Sequence, residues 1–312
     1  VTLSTQFHVD TQFTTQDLAL SLDAFSDRIL KPAVAAIANK IDFDGLTMAK
    51  NATANIVGTA GVPPTGLITY LTAGAYLDAE GAPRDGRRSC VIEPFTSATI
   101  VDSLKGLFVP ADVIGSQYRK GLMGRDSAGM NWYMDQNVVN QTFGSYSGKT
   151  LTVDTTSASF GISTGWAQTS TITLTASSSL TVQQGDVIQI AGVYAVNPQN
   201  RSAYGSGKLR NFVVTSTTTV STGGTSVIVS PAIITGGQFQ NVTVTSTSAT
   251  AAVTPFNNTG TVSPQNIIMH RNAFTLATAD LEMPDGVHFA GRASDKDLGL
   301  SIRVVRQYTI NN

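Results

Sequence analysis

Cysteine is nearly absent: Cys90 is the only one in 312 residues, so no disulfide can form within the chain. A lone thiol suits a reducing compartment, and its setting in SCVIE reads as a buried strand position, not a nucleophile's. Charge is scarce as well. Only 13% of residues are Asp, Glu, Lys or Arg, and the formal net charge is -1. Surfaces that grip nucleic acid are basic, so that is excluded as the main task. No apolar run reaches the roughly 18 residues that a membrane span needs, and the N-terminus carries no basic-then-apolar leader. Tryptophan is limited to Trp132 and Trp166, against the clustered exposed aromatics of a secreted carbohydrate-binding protein.

Catalytic and metal motifs fail one by one. His8, His270 and His288 lie in separate contexts, none with a carboxylate or cysteine at ligand spacing. Asp42-Phe43-Asp44-Gly45 opens like a calcium loop but lacks its third ligand and distal Glu. Gly144 to Gly148 puts Tyr146 where a nucleophile elbow needs serine. Gly205 to Lys208 lacks the upstream glycine and following hydroxyl of a phosphate loop. The Asn-X-Thr triplets at Asn51, Asn140, Asn241 and Asn257 are chance matches in a Thr-rich chain. Arg87-Arg88 and Arg119-Lys120 read as solvated turns in preference to inter-subunit salt bridges. We therefore expect no catalytic residue, no cofactor-binding residue and no metal ligand: not an enzyme.

What the chain does have is Thr, Ser, Asn and Gln in abundance, a composition that fits a surface used up in contacts with copies of itself. Its length suggests two domains. One long helical pattern runs from Thr14 to Gly45, with apolar side chains at Leu18, Leu22, Phe25, Ile29, Leu30, Val34, Ile37 and Ile41. Thr14 and Asp17 form a capping box and Gly45 a stop. At 1.5 Å per residue the helix would span roughly 45 Å, a brace for something extended. Pro32 predicts a bend near Arg28 to Lys31.

Val1 to Phe13 alternates as an extended strand without an upstream partner, from which missing residues are expected. After Gly45 a small-residue loop runs through Pro64. A second helix carries Leu67, Tyr70, Leu71 and Ala75, and Asp85 to Arg88 is a charged turn. Ser89 to Glu93 is a short strand. Thr96 onward is a helix with Ile100, Val101, Leu104 and Leu107 on one face. Ala111 to Arg119 makes another, Gly121 to Asp126 a loop, and Met130 to Val139 a strand.

At Ser145 the composition changes. From there to Asn257 the only charged residues are Lys149, Asp154, Asp186, Arg201, Lys208 and Arg210. Short β-branched runs (Ile172-Leu174, Val187-Ile190, Phe212-Val214, Val227-Val229, Val242-Val244), and a strand near Thr215 to Thr222, predict an all-β sandwich or small barrel. This region reads as a domain, 145–257, inserted into a core made of 1–144 and 258–312. The core resumes with long strands at Ile267 to Ala279 and Leu300 to Tyr308, the latter with Ile302 and Val304 on one side and Arg303 and Arg306 on the other.

Three stretches carry a family resemblance: Leu18 to Leu46 (with ILKPAVAAIANKIDFDGL), Val182 to Asn200 (VQQGDVIQIAGVYAVNPQN) and Asn266 to Pro284 (NIIMHRNAFTLATADLEMP). They resemble the spine helix, a segment of the insertion domain and the re-entering strand of tailed-phage major capsid proteins, nearest to podovirus coat proteins with an inserted β-barrel. The resemblance implies an α+β, HK97-like capsid fold: an extended-loop strand at 1–13, a spine helix at 14–45, an axial domain at 67–139, and the inserted barrel or sandwich. It also implies a structural protein that assembles with itself into pentamers and hexamers of an icosahedral shell, with a scaffolding protein and a portal as partners. Packaged double-stranded DNA would be touched only loosely, and shells would form in the host bacterial cytoplasm and end in the virion. Contacts would be non-covalent, since no feature points to a Lys–Asn cross-link. The family's N-terminal arm and a further C-terminal strand have no counterpart here, so the chain is expected to be part of a longer one. Another virion protein of tail or decoration type, or a secreted carbohydrate-binding protein, are the competing readings.

Overall fold

Two periodicities, about 3.6 and 2, divide the chain. The computed structural model describes residues 5–12, 31–103, 127–157, 160–204, 207–245, 248–295 and 300–307. Among these the helices are α1 (Lys31–Ala52), α2 (Leu67–Ala79) and α3 (Pro94–Ser103). By their contacts the residues form two compact units, Val1–Ile37 with Asn272–Asn312, and Ala38–Arg271.

In the second unit a small sheet comes first. Strands β1 (Arg88–Ile92), β2 (Asn131–Met134) and β14 (Ile267–His270) lie in the order β14-β1-β2, with β1 antiparallel to β14 and parallel to β2. One face of this sheet puts Cys90, Ile92 and Trp132 against Tyr70 of α2 and Ile100 of α3. The Tyr70 and Trp132 rings meet at 4.9 Å between centroids, and the indole Nε1 donates to Ser127 O at 2.8 Å.

The chain then passes through a two-stranded stem. Strand β3 (Asn140–Thr142) pairs antiparallel with β13 (Val262–Pro264), and Ser145 bridges to Thr259. Where the chain leaves the small sheet and where it returns are therefore side by side.

Beyond the stem lie β4 (Leu151–Val153), β5 (Ser170–Ala176), β6 (Leu180–Val182), β7 (Val187–Ala195), β8 (Leu209–Val214), β9 (Thr218–Val220), β10 (Thr225–Ser230), β11 (Val242–Val244) and β12 (Ala251–Pro255). The order β7-β12-β4-β5-β10-β8 closes on itself, because β8 also pairs with β7. This is an antiparallel six-stranded barrel. Strand β7 is long enough to pair with β12 through Ile188 to Ile190 and then with β11 through Val193 to Ala195. Strict alternation fills the interior: Ile172 and Leu174 from β5, Val227 and Val229 from β10, Leu151 and Val153 from β4, Phe212 and Val214 from β8. Each inward residue alternates with an outward Thr, Ser or other side chain, as a barrel wall requires. The five β-branched runs predicted for this region all fall on strands, and the predicted strand at Thr215 to Thr222 is β9, three residues long.

The first unit contains a hairpin of β15 (Phe289–Asp295) and β16 (Leu300–Arg306), in register from Phe289↔Arg306 to Asp295↔Leu300.

Several expectations need correction. The helix does not stop at Gly45 but continues to Ala52. Gly45 does not take a positive φ, so no left-handed cap is being served there. The face that is buried lies further along, at Leu46 and Ala49, while Val34 is exposed. Residues 5–12, the described part of the strand expected over 1–13, form no strand. In α2 the residues facing inward are Tyr70 and Gly74, and Leu71 and Ala75 point to solvent. The strand expected over Met130 to Val139 ends at Met134, and that over Ile267 to Ala279 ends at His270, where β1 runs out as a partner. Strict alternation in β16 places Arg306 with Ile302 and Val304, opposite Phe289 and over its ring at 5.8 Å. Strand β15 was not predicted. The capping pair Thr14 and Asp17, the bend at 28–30, the helix at Ala111 to Arg119, the loop at Gly121 to Asp126 and the pair Arg119-Lys120 lie outside the described residues.

Candidate functional site

The barrel region can afford few charges in so apolar a setting, so the places where it keeps them are informative. Of its six charged residues, Asp186, Lys208 and Arg210 all reach toward α1 or α2.

Asp186 sits in the tight turn between β6 and β7 and is fully buried. Its Oδ2 accepts from Tyr146 Oη at 2.5 Å, from Gln183 N at 2.9 Å and from Gly144 N at 3.1 Å. Its Oδ1 accepts from Gln141 Nε2 at 3.2 Å. The other end of that amide, Gln141 Oε1, accepts from the Lys50 ammonium near the end of α1 at 2.6 Å. Gln141 thus carries an opposite-charge pair between the long helix and the barrel. Burial pushes the Asp186 carboxyl up, and the bonds from Tyr146, Gln183, Gly144 and Gln141 oppose that rise. Burial pushes Lys50 down, and the attraction of Asp186 opposes it. Burial and then the neighbouring Asp186 push the Tyr146 phenol up, which keeps it a donor.

Two glycines make this packing possible. Gly185 has φ +88°, and a Cβ there would lie 2.8 Å from Gln141 Oε1. At Gly144 a Cβ would meet Tyr146 Oη at 2.6 Å and Thr181 O at 2.8 Å. The GSYSG stretch that failed as a nucleophile elbow is the close approach that seats Tyr146 on Asp186.

A second joint lies at the end of α2. Tyr204 Oη donates to Ala79 O at 2.6 Å, Arg210 Nη1 to Glu80 Oε1 at 2.5 Å, and the Lys208 ammonium stands 3.4 Å from the Tyr76 ring centroid. A third runs from Gln189 through Asn211 to Asn55 at 2.7 and 3.3 Å. Between these joints is a cleft of about 200 Å³, lined by residues that include Lys50, Asn55, Tyr70, Tyr76, Val187, Phe256 and Ile268.

The predicted lone groups are now placed. Cys90 is buried, and burial pushes its thiol up, away from nucleophilic use. His270 is buried and lies 3.1 Å from Asp85; His8 is 3.5 Å from Asp10, and His288 is 3.1 Å from Arg306. Among the described residues no group of three His, Cys, Asp or Glu gathers as a metal site would. Asp42 binds Asn137 at 2.8 Å, not a cation loop. The reading of Arg87-Arg88 as a solvated turn holds for Arg87 only. Arg88 is buried and donates to Asp78 at 2.7 Å, Pro83 O at 2.9 Å and Ala82 O at 2.6 Å. It pins the turn after α2 onto the start of β1, inside one chain.

Sequence reasoning missed Asp186 as the hub. A signal existed: an acidic residue retained after glycine in a stretch almost free of charge is either exposed in a turn or fully partnered. These joints fix one part of the fold against another; they present no activated nucleophile and no acid–base couple aimed at an open site. A family model described as "P22 coat protein - gene protein 5" matches residues 4–312. No curated protein matches the chain.

Proposed function

Because the chain belongs to the P22 coat protein family, and is thereby a major capsid protein forming a phage shell, we propose that it builds that shell on an HK97-like fold with the barrel as an inserted domain. The family match, which runs through nearly the whole chain, carries this reading. The family is structural, its subunits assemble with one another, and the protein's place is the virion capsid. The fold is α+β, with few helices, many strands and a barrel.

In the finer reading, α1 is part of the spine of the peripheral domain, and the sheet β14-β1-β2 with α2 and α3 is the axial domain. The stem β3–β13 supports an insertion at 145–257, since a domain entered and left through adjacent strands can be added without disturbing the core. Shell closure is non-covalent: many modest contacts, repeated with quasi-symmetry, sum to a stable particle. A scaffolding protein and a portal join the assembly in the host bacterial cytoplasm, and the near-neutral chain confines double-stranded DNA without gripping it.

Expression of the full-length coat chain, followed by sizing and negative-stain imaging, tests the assembly. Closed shells of uniform diameter, with pentamers or hexamers as their breakdown products, are expected; a monomer stable to dilution would refute it. The domain assignment is tested by replacing 145–257 with a short linker, after which the remainder should still melt cooperatively.

A further inference from the structure

The cleft where α1, α2 and the barrel strand β7 meet encloses about 200 Å³. An apolar cavity of about 150 Å³ takes up benzene, so this one has room for a single substituted ring. Its walls include Tyr70, Ala73 and Tyr76 of α2, Val187 of β7, Phe256 and Ile268. Among the described residues that line it, Lys50 is the only charged one. The acceptor that its ammonium meets, Gln141 Oε1 at 2.6 Å, is neutral, and burial pushes the Lys50 pKa down. An ammonium has three protons to donate, so it retains capacity for a second, negatively charged acceptor. Tyr70 is 3% exposed, and its Oη is buried with no hydrogen-bond partner among the described residues. Buried polar groups are nearly always partnered, so this phenol is a donor without an acceptor. Burial pushes its pKa up, which keeps the proton in place.

We propose that the cleft is a binding site for a small aromatic monocarboxylate, its ring against the apolar walls and its carboxylate facing Lys50. Shell assembly as such does not call for this site, so the assignment goes beyond the capsid reading. The lining selects the class of ligand. A single cation with no acidic neighbour in the wall repels an ammonium compound. A phosphate or sulfate brings extra charge and no apolar body to walls built largely of carbon, where uncompensated charge is costly. A neutral ring fills the space but gives Lys50 no counter-charge. A carboxylate on a ring answers both needs, and Tyr70 is a further donor in the same wall. Small-molecule sites combine apolar walls with a few polar groups in this way. Because the lining comes from α1, α2 and β7, a bound ligand ties the helices to the barrel and stabilises the folded subunit by mass action.

Two probes that share a ring and differ in charge, benzoate and benzyl alcohol, provide the test. Each is titrated into the full-length coat chain and followed by ligand-observed NMR. Benzoate should bind about tenfold more tightly than benzyl alcohol and should raise the Tm. Equal affinities, or no saturable binding of benzoate, would overturn the proposal. Lys50→Met should bring benzoate down to the level of benzyl alcohol while leaving the alcohol's affinity as it was; a preference for benzoate that survives this change refutes the role of Lys50. Because Lys50 also donates to Gln141, that variant can lose stability, so a second one leaves the ammonium in place. Ala73→Phe, at a half-buried position of α2 in the wall of the cleft, fills the space and should weaken both probes roughly fivefold or more. Unchanged binding would place the site elsewhere and sink the idea. Photolysis of bound 4-azidobenzoate should label residues of this cleft, and labelling confined to other parts of the chain would refute the assignment.

Discussion

The barrel and the three-stranded sheet are built from similar residues but treat their edges and polar groups differently. In the barrel ring every strand has a neighbour on each side, so backbone donors and acceptors are satisfied by closure. Its interior can then be almost wholly Val, Ile, Leu and Phe. The sheet β14-β1-β2 is open, and its core is small: Tyr70, Cys90, Ile92, Ile100, Met130 and Trp132. It depends on specific polar contacts at its margin. Arg88 holds the turn after α2, His270 meets Asp85, and Asn266 Oδ1 accepts from Glu93 N at 2.9 Å. A closed sheet tolerates a polar-poor sequence, whereas an open one needs named hydrogen bonds at its ends.

The largest expected effect comes from cutting the joint between the barrel and the long helix. Asp186→Ala leaves Tyr146 Oη, Gly144 N and Gln183 N without their acceptor, takes one of three acceptors from Gln141 Nε2, and removes the counter-charge of Lys50. The cost should be on the order of 3–5 kcal/mol, measurable as a lower urea midpoint. A loss of under about 1 kcal/mol would mean that the joint contributes little.

Next are the two cores. Leu174→Ala in the barrel and Ile100→Ala beneath the sheet each delete a fully buried side chain, at about 2–5 kcal/mol. Hydrogen exchange should separate them: Leu174→Ala should speed exchange in β4, β5 and β10, and Ile100→Ala in β1 and β2. Uniform acceleration by either variant would erase the distinction between the regions.

Arg88→Met should cost less, about 1–3 kcal/mol, because it frees Asp78 and two carbonyls near the surface while keeping the aliphatic stem. The exchange of β1 amides should register it first.

The smallest effect depends on pH. Hydrogen bonds from Arg84, then Arg88, hold the Asp78 carboxyl well below the usual carboxylate range. A folded-state pKa lower than the unfolded one stabilises above about pH 4, and that contribution is lost as pH falls further. Asp78→Asn should therefore be less stable than the parent near pH 7, and the two melting curves should converge in acid. Asp186 has the opposite sign. Its raised carboxyl pKa favours folding at low pH and loses that advantage as pH rises, so the deficit of Asp186→Asn relative to the parent should shrink from pH 4 to pH 7.

Much of the barrel was legible before any coordinates. The runs at Ile172-Leu174 and Val227-Val229 alternate because a wall with one wet face imposes a period of two, a local rule written directly in the residues. The existence of α2, α3 and the described part of the long helix, α1, was equally local. Closure was not, because it depends on β7 pairing with β8 on one edge and with β12 and β11 on the other. Nor was the end of the long helix. Gly45 looked like a stop, yet the burial of Leu46 and Ala49 carries the helix through it, tertiary packing outweighing a weak local preference. Strand ends at Met134 and His270 were overestimated for the same reason in reverse: propensity continued where a partner did not.

The sequence by itself determined the class and the change in composition at Ser145, because these follow from residue type and spacing. Tertiary structure alone decided what the rare charges are for. Asp186 lies 45 positions from Gln141, and Gln141 a further 91 from Lys50, so no window of sequence contains all three. Arg88 likewise looked like a solvated turn until the chain folded Asp78 and two carbonyls around it. Long-range hydrogen bonds have no local signature, since each partner is ordinary until the fold brings it beside the others.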